Sequence, residues 1–349
     1  MAKIFYLEVD DFLRKEERYK LLENAGNVYN VDWSEIAPDK NHIWLTEGME
    51  DDWDSLIPLG TKEAKQLSVV GSQLPLIFKL FSLGISTNRD AWVYNCNKEI
   101  IEKNINKTIK EFNRHLFEKS LNNIDDIDKI IEYSDELISW SSTLKIKLKQ
   151  GEKINFNINN LRVSTYRPFY KNFLYFDSDL IDRCGQFPKI FPTPDSEKEN
   201  RVICLSGVGS SKPFQSLIVN FIPCLDILEK TQCFPFYTYS EDGTGRKENI
   251  SDWALKEFQT NYKDESISKW DIFYYIYGVL HKPEYREKYA ANLRRSLPRI
   301  PLYEEFWKYS NAGMKLADLH VNYEEQTEYP LTKIETPGKA LDWRVEKMK

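Results

Sequence analysis

KEIIEKNINKTIKEFNRHLFEK, residues 98–119, and LRVSTY, residues 161–166, are the two stretches whose different periods decide the fold. In the first, Ile101, Ile105, Ile109, Phe112 and Leu116 recur at spacings of three and four while Lys, Glu and Arg fill the other positions. That pattern is one apolar face of a helix. The second is a short run with β-branched and aromatic residues, suited to a pleated, half-buried strand. Comparable runs follow at Phe173–Phe176, Arg201–Leu205 and Phe234–Tyr239, separated by Pro, Gly and Asp. Together they predict an α+β fold with a β-rich core over about residues 151–240.

Working outward, Ile124–Ser141 carries Ile127, Ile130, Ile131, Leu137 and Ile138, which predicts a second helix and a helical hairpin over about residues 98–150. Helical spacing returns after Ser251, with Trp270, Phe273, Ile276, Tyr277 and Leu280 on one side. A further helix starts at Pro283, where proline suits the first turn. This C-terminal helical part runs over about residues 251–325, with a tail at 331–349. At the other end, Lys3–Val9 reads as a strand and Arg14–Asn24 as a charged helix stopped at Gly26. Residues 32–62, with Trp33, Pro38, Trp44, Trp53 and Pro58, have no period and read as an irregular connection. The expected division is a linking segment at 1–66 and a main domain at 67–330.

A chain of 349 residues can hold two domains, or one with extensions. Its 41% hydrophobic and 29% charged residues are those of a soluble globular protein, with 14% aromatic residues adding unusually many rings. The 48 basic and 54 acidic residues give a net charge of -6, which argues against nucleic-acid binding through global charge. Any such contact must use a local patch. The five cysteines are scattered and never spaced C-x-x-C, so neither a disulfide framework nor a zinc site is expected. With no stretch approaching a membrane span, the expected location is the cytoplasm.

Catalytic signals are weak. His42, His115, His281 and His320 have no partners at ligand or catalytic spacing and are expected to be structural. Leu205–Lys212 (LSGVGSSK) superficially resembles a phosphate loop, but no glycine precedes Lys212 and Pro213 follows it, so only a tight turn is implied. The glycine motif and the Asn-Pro-Pro-aromatic segment that adenine methylation needs are both missing. Neither a catalytic residue nor a metal ligand is expected.

An ordered series of strings carries a more specific signal: Ile36–Asp39 (IAPD), Gly84–Asn95 (GISTNRDAWVYN), Tyr166–Phe169 (YRPF) with Tyr175 following, Tyr277–His281 (YGVLH), Tyr285–Ala290 (YREKYA), Leu297–Pro301 (LPRIP) and Leu316–His320 (LADLH). In order and approximate spacing these resemble the C-terminal region of Type ISP restriction-modification enzymes. In those single polypeptides, nuclease, ATP-driven translocase, adenine methyltransferase and target-recognition modules follow one another. The resemblance implies that residues 67–330 form a DNA target-recognition domain, and that residues 1–66 link it to, or end, a methyltransferase domain. It also implies double-stranded DNA as the partner, with the other modules on the same polypeptide or a partner chain. S-adenosylmethionine, ATP and Mg would then belong to those modules and no cofactor to this chain. The alternatives are a protein-interaction or scaffold module, and an enzyme with an unfamiliar site.

Target recognition needs cations and donors for phosphates, and Arg, Asn, Gln, Ser or Thr for base edges. Lys145, Lys147 and Lys149, followed by Lys153, form a basic run whose alternate spacing would put three on one face of a strand. Arg162, with Arg167 and Lys171, lies in the β-rich centre, and Arg294, Arg295 and Arg299 cluster after a helix. Each patch has a plainer reading as solvated charge or helix-end cation. Thr87, Asn88 and Arg89 sit in a glycine-containing turn that can approach a DNA backbone. Because relatives read different sites, the resemblance implies base readers outside the recurring strings. These fall in the loops Asp177–Asn200 and Ser206–Gln215, with Arg183, Gln186, Lys189, Ser210, Lys212 and Gln215 as candidates.

Overall fold

The computed structural model describes residues 3–10, 12–38, 42, 44–45, 48–61, 75–124, 126–133, 136–332 and 338. The fold is α+β, with helices flanking small sheets. Helix α1 (Lys98–Asn122) forms where the apolar period predicts it. The Asn97 side chain caps its first turn by accepting from the Glu99 amide, and Asn123 ends it in the left-handed region. Its buried face is Ile101, Ile105, Thr108, Ile109, Phe112 and His115.

Its expected partner helix is displaced. Among the described residues of 124–141 the only helical element is the short turn Ile127–Lys129, and helix α2 is Ser142–Gln150, capped by Ser141 and stopped at the left-handed Gly151. Asp125, Ser134 and Asp135 lie outside the described residues. Ile127, Ile131 and Ile138 are still buried, so the apolar positions mark a chain packed against α1 rather than a helix. Apolar spacing alone does not separate the two cases over so short a stretch.

Two four-stranded sheets build the centre. One has the order β7-β3-β4-β2, from strands β2 (Tyr94–Asn95), β3 (Leu161–Arg167), β4 (Tyr170–Tyr175) and β7 (Ile222–Pro223). The β3–β4 hairpin is antiparallel and β7 runs parallel to β3. The other sheet is antiparallel with the order β1-β8-β5-β6, from β1 (Ser82–Leu83), β5 (Val202–Leu205), β6 (Ser216–Val219) and β8 (Gln232–Pro235). β5 and β6 are buried along their whole length, and the strand alternation explains why. Ile203, Leu205, Ile218 and Phe234 join one core with the C-terminal helices, while Val202, Cys204, Leu217, Val219 and Cys233 join a second core with α1 and the other sheet. A wall apolar on both faces reads as a continuous hydrophobic run.

In the first core, helices α3 (Lys269–Leu280) and α4 (Phe306–Val321) cross closely. A Cβ at Gly313 would fall on the Tyr274 carbonyl oxygen, so only glycine permits this approach.

Residues 50–58 are not a free connection. Trp53 is buried in this core and donates from Nε1 to Ser296 Oγ, and Ile57–Pro58 pairs with Arg299–Ile300. The segment thus packs on the C-terminal helices, while the expected boundary at 66/67 lies outside the described residues, as does nearly all of the tail at 331–349. Further upstream, Ile4–Tyr6 pairs antiparallel with Ser34–Ile36, and the helix Lys15–Ala25 between them has no buried residue. Among the described residues no helix is long and apolar enough to cross a membrane.

Candidate nucleic-acid interface

At one end of the β1-β8-β5-β6 sheet, Leu83, Gln232, Leu205 and Ser216 stand in register across all four strands. The residues beyond them leave the sheet together as the turn 84–90, the turn 224–231 and the loop 206–215. Backbone hydrogen bonds tie the three into one ridge: the Gly84 amide donates to Thr231, Leu225 to Ile85, Gly207 to Glu229, and Gly209 to Arg294. Gly207 is required here, because a Cβ would meet the Lys230 carbonyl.

The loop 206–215 is held from within. Glu229 accepts from Ser210 Oγ at 3.0 Å, Ser211 N at 3.1 Å and Ser211 Oγ at 2.9 Å, and these donors draw its carboxyl below the usual range. Lys230 Nζ reaches the Gly209 carbonyl at 2.9 Å. Glu229 and Lys230 both adopt positive φ, 63° and 52°, a costly pair for residues with a Cβ. Ser210 is thus committed to the loop itself. Lys212 and Gln215 have exposed side chains and no hydrogen-bond or ion-pair partner for them among the described residues. Beside them a groove of about 870 Å³ is lined by Tyr6, Glu8, Gln215, Arg286, Arg294 and Arg295. Arg294 and Arg295 are exposed, whereas Arg286 is held by the Leu280 carbonyl at 2.6 Å.

In the turn 84–90 only Asn88 faces solvent. It has a positive φ of 51° and donates from Nδ2 to Asp182 at 2.7 Å. Ser86 and Arg183 exchange backbone hydrogen bonds, and the Gln186 amide donates to Ser82 Oγ, so the segment 182–186 is stapled to the turn. Arg183, with a side chain 79% exposed, and exposed Gln186 join Asn88 on this surface. Thr87 and Arg89, expected near the DNA backbone, are buried, and Thr87 Oγ1 is bound to Asp90.

Five further candidates lie elsewhere than expected. The lysines lie on helix α2, so Lys145 and Lys149 are one turn apart and Lys147 points elsewhere. Lys147 is ion-paired with Asp179 at 2.6 Å and Glu152 at 3.2 Å, while Lys145 meets the Tyr133 hydroxyl and Asp128. Only Lys149 leaves its ammonium without a partner among the described residues. Arg162 is interior: its Nε and Nη2 donate to Glu197 Oε1 at 2.9 and 2.6 Å, with both residues buried. A guanidinium held there cannot reach a duplex. Lys189, although exposed, lies toward the other end of the sheet, where its carbonyl accepts from the Tyr239 amide.

Sequence reasoning missed Glu229, Lys230 and Asp182. Left-handed residues that are neither Gly nor Asn leave no trace in sequence, and Asp182 gains meaning only through contacts distant in the chain. Of the four histidines, His115 is fully buried. His115 Nδ1 donates to the Glu111 carbonyl while Nε2 accepts from the Glu132 amide, so both ring nitrogens are held within the fold. Glu111, His115 and Glu132 lie close enough together to hold a cation, but Arg114 already bridges both carboxylates at 2.6 and 3.0 Å.

The chain belongs to a family of specificity domains: the model of the Type ISP C-terminal specificity domain matches residues 76–349. Among solved structures it is similar to the cryo-EM structure of a DrdV–DNA complex, with 37% identity, a TM-score of 0.84, 96% of this chain and 33% of that one covered. It is also similar to a nuclease-deletion mutant of the Type ISP restriction-modification enzyme LlaGI in complex with a DNA substrate mimic, at 30% identity and a TM-score of 0.80, covering 94% of this chain and 29% of that one. A third is the ATP-dependent Type ISP enzyme LlaBIII bound to DNA, at 28% identity and a TM-score of 0.77, covering 95% and 21%. The chain therefore spans a third or less of these relatives. No curated protein matches it.

Proposed function

We propose that this chain recognises a specific sequence in duplex DNA, as the specificity module of a cytoplasmic Type ISP restriction-modification enzyme that methylates adenine and translocates and cleaves DNA. The observation that carries the proposal is the convergence at one sheet end of the turn 84–90, the segment 182–186 and the loop 206–215. They bring Asn88, Arg183, Gln186, Lys212 and Gln215 to the surface together. Amide and guanidinium groups held on rigid elements suit base edges, and the exposed Arg294 and Arg295 beside them suit phosphates. The net charge of -6 is compatible with this, because the cations are gathered locally.

In this reading the chain supplies binding, while the methyltransferase, translocase and nuclease modules supply chemistry with S-adenosylmethionine, ATP and Mg. Selection from a randomised duplex pool by the purified chain tests it. Enrichment of one asymmetric site is expected, and recovery of an unenriched pool overturns the reading.

A protein-interaction role is favoured for residues 3–36 alone. Phe12, Tyr19, Leu22, Val28 and Tyr29 are exposed there, and the helix among them buries nothing.

A further inference from the structure

Arg89 is 5% exposed, and none of Nε, Nη1 and Nη2 has a hydrogen-bond partner. The other buried side-chain polar atoms without partners among the described residues, on Thr108, Asn172, Ser216, Tyr239 and Asn292, are neutral. Arg89 is therefore the charged exception. A guanidinium presents five N–H donors, and burying it unmet is among the most unfavourable arrangements a side chain can adopt. Burial pulls its pKa down to about 10, which leaves it charged at neutral pH.

The neighbouring carboxylates are already committed. Asp182 acts on Arg89 from beyond ion-pair contact, and its oxygens serve Asn88 Nδ2 at 2.7 Å, Ser142 Oγ at 3.3 Å and Arg183 Nε at 3.8 Å. Asp90 is engaged by Thr87 and by the Tyr166 hydroxyl. An unmet buried charge in an otherwise satisfied polar cluster marks a place where something else binds.

We propose that Arg89 is a phosphate-binding residue held in reserve beneath the Asn88–Asp182 contact, and that it meets a DNA backbone phosphodiester docking on the Asn88–Arg183 surface. The inference rests on the DNA reading above. Asn88 is the movable cover, being the exposed residue of the turn, with one side-chain bond to Asp182 at 2.7 Å and a long one from Ser86 Oγ at 3.4 Å. Arg183, mostly exposed, supplies the first cation to an incoming phosphate. Once the cover shifts, the planar guanidinium can engage two phosphate oxygens at once. A contact of this kind positions the duplex and carries no sequence information.

Arg89→Met, similar in length but uncharged, separates this from a structural role, with Arg89→Lys as the charge-preserving companion. Both are made in the 349-residue chain. The readouts are Tm and the salt dependence of binding to a mixed-sequence duplex. Arg89→Met is expected to raise Tm, because an uncompensated buried charge is removed. It should also weaken binding at least about tenfold and lower the log–log salt slope by about 0.9. Arg89→Lys should retain the slope and lose part of the affinity. Wild-type binding matched in affinity and slope by Arg89→Met would overturn this inference alone. A wild-type chain that binds no duplex would overturn the DNA reading and this inference with it.

Discussion

Replacing Arg162 by Met should destabilise the fold without touching the DNA surface. The substitution removes two hydrogen bonds to Glu197 Oε1, at 2.9 and 2.6 Å, and strands a carboxylate on a buried residue. Breaking one side of such a pair costs about 3–5 kcal/mol, whereas replacing both partners by apolar residues is about neutral or better. With an unfolding entropy of about 2.1 cal/mol/K per residue, a chain of this length loses roughly 1.4 °C of Tm per kcal/mol, so a fall of roughly 4–7 °C is expected.

The pH dependence follows from Glu197. Burial raises its pKa, partly offset by Arg162, and loss of Arg162 raises it further. An acid with a raised folded pKa binds its proton more tightly folded than unfolded. The penalty is therefore fully present above the folded pKa and relieved as pH falls through it. Thermal melts should show a deficit that is largest near neutral pH and shrinks in acid, and Arg162→Met with Glu197→Leu should recover most of the stability. An unchanged Tm together with lost DNA affinity, unrescued by the double variant, would refute the buried-pair assignment.

Elsewhere, Gly313→Ala should cost about 1–3 kcal/mol or more in chemical denaturation, because the new methyl meets the Tyr274 carbonyl where two helices cross. If α2 faces the duplex, Lys149→Ala should reduce the salt slope of binding by about 0.9, while Lys147→Ala, which removes a paired ammonium, should leave it nearly unchanged. Equal effects would show that the ion pairs of Lys147 open on binding. Glu229→Ala should free Ser210 and Ser211, seen as faster amide hydrogen exchange at Ser211 and a broader selected site. Unaltered exchange there would show that the loop needs no clamp.

The long helix, the β-rich centre and the C-terminal helices were legible because each has a period or composition that one face of burial imposes. The segment 124–141 was not, since its isoleucines serve a packed irregular chain at spacings a helix would also give. Trp53 looked like part of a linker because nothing local announces its partner, Ser296. At the candidate site, the sequence nominated the two loops and the turn, but charge alone could not separate buried from presented cations. Arg162 and Arg183 both belong to loop-and-strand stretches rich in polar residues, and only the fold gives one Glu197 and leaves the other in solvent.

The most direct test of sequence reading at this sheet end is binding-site selection with Arg183→Ala, Gln186→Ala, Lys212→Ala and Gln215→Ala, beside the parental chain. Loss of a true base reader should relax preference at a single base pair, at a cost of roughly 1–3 kcal/mol, while the rest of the selected site is retained. If all four variants select the parental site with undiminished preference at every position, the bases are read elsewhere and the assignment of these loops is contradicted.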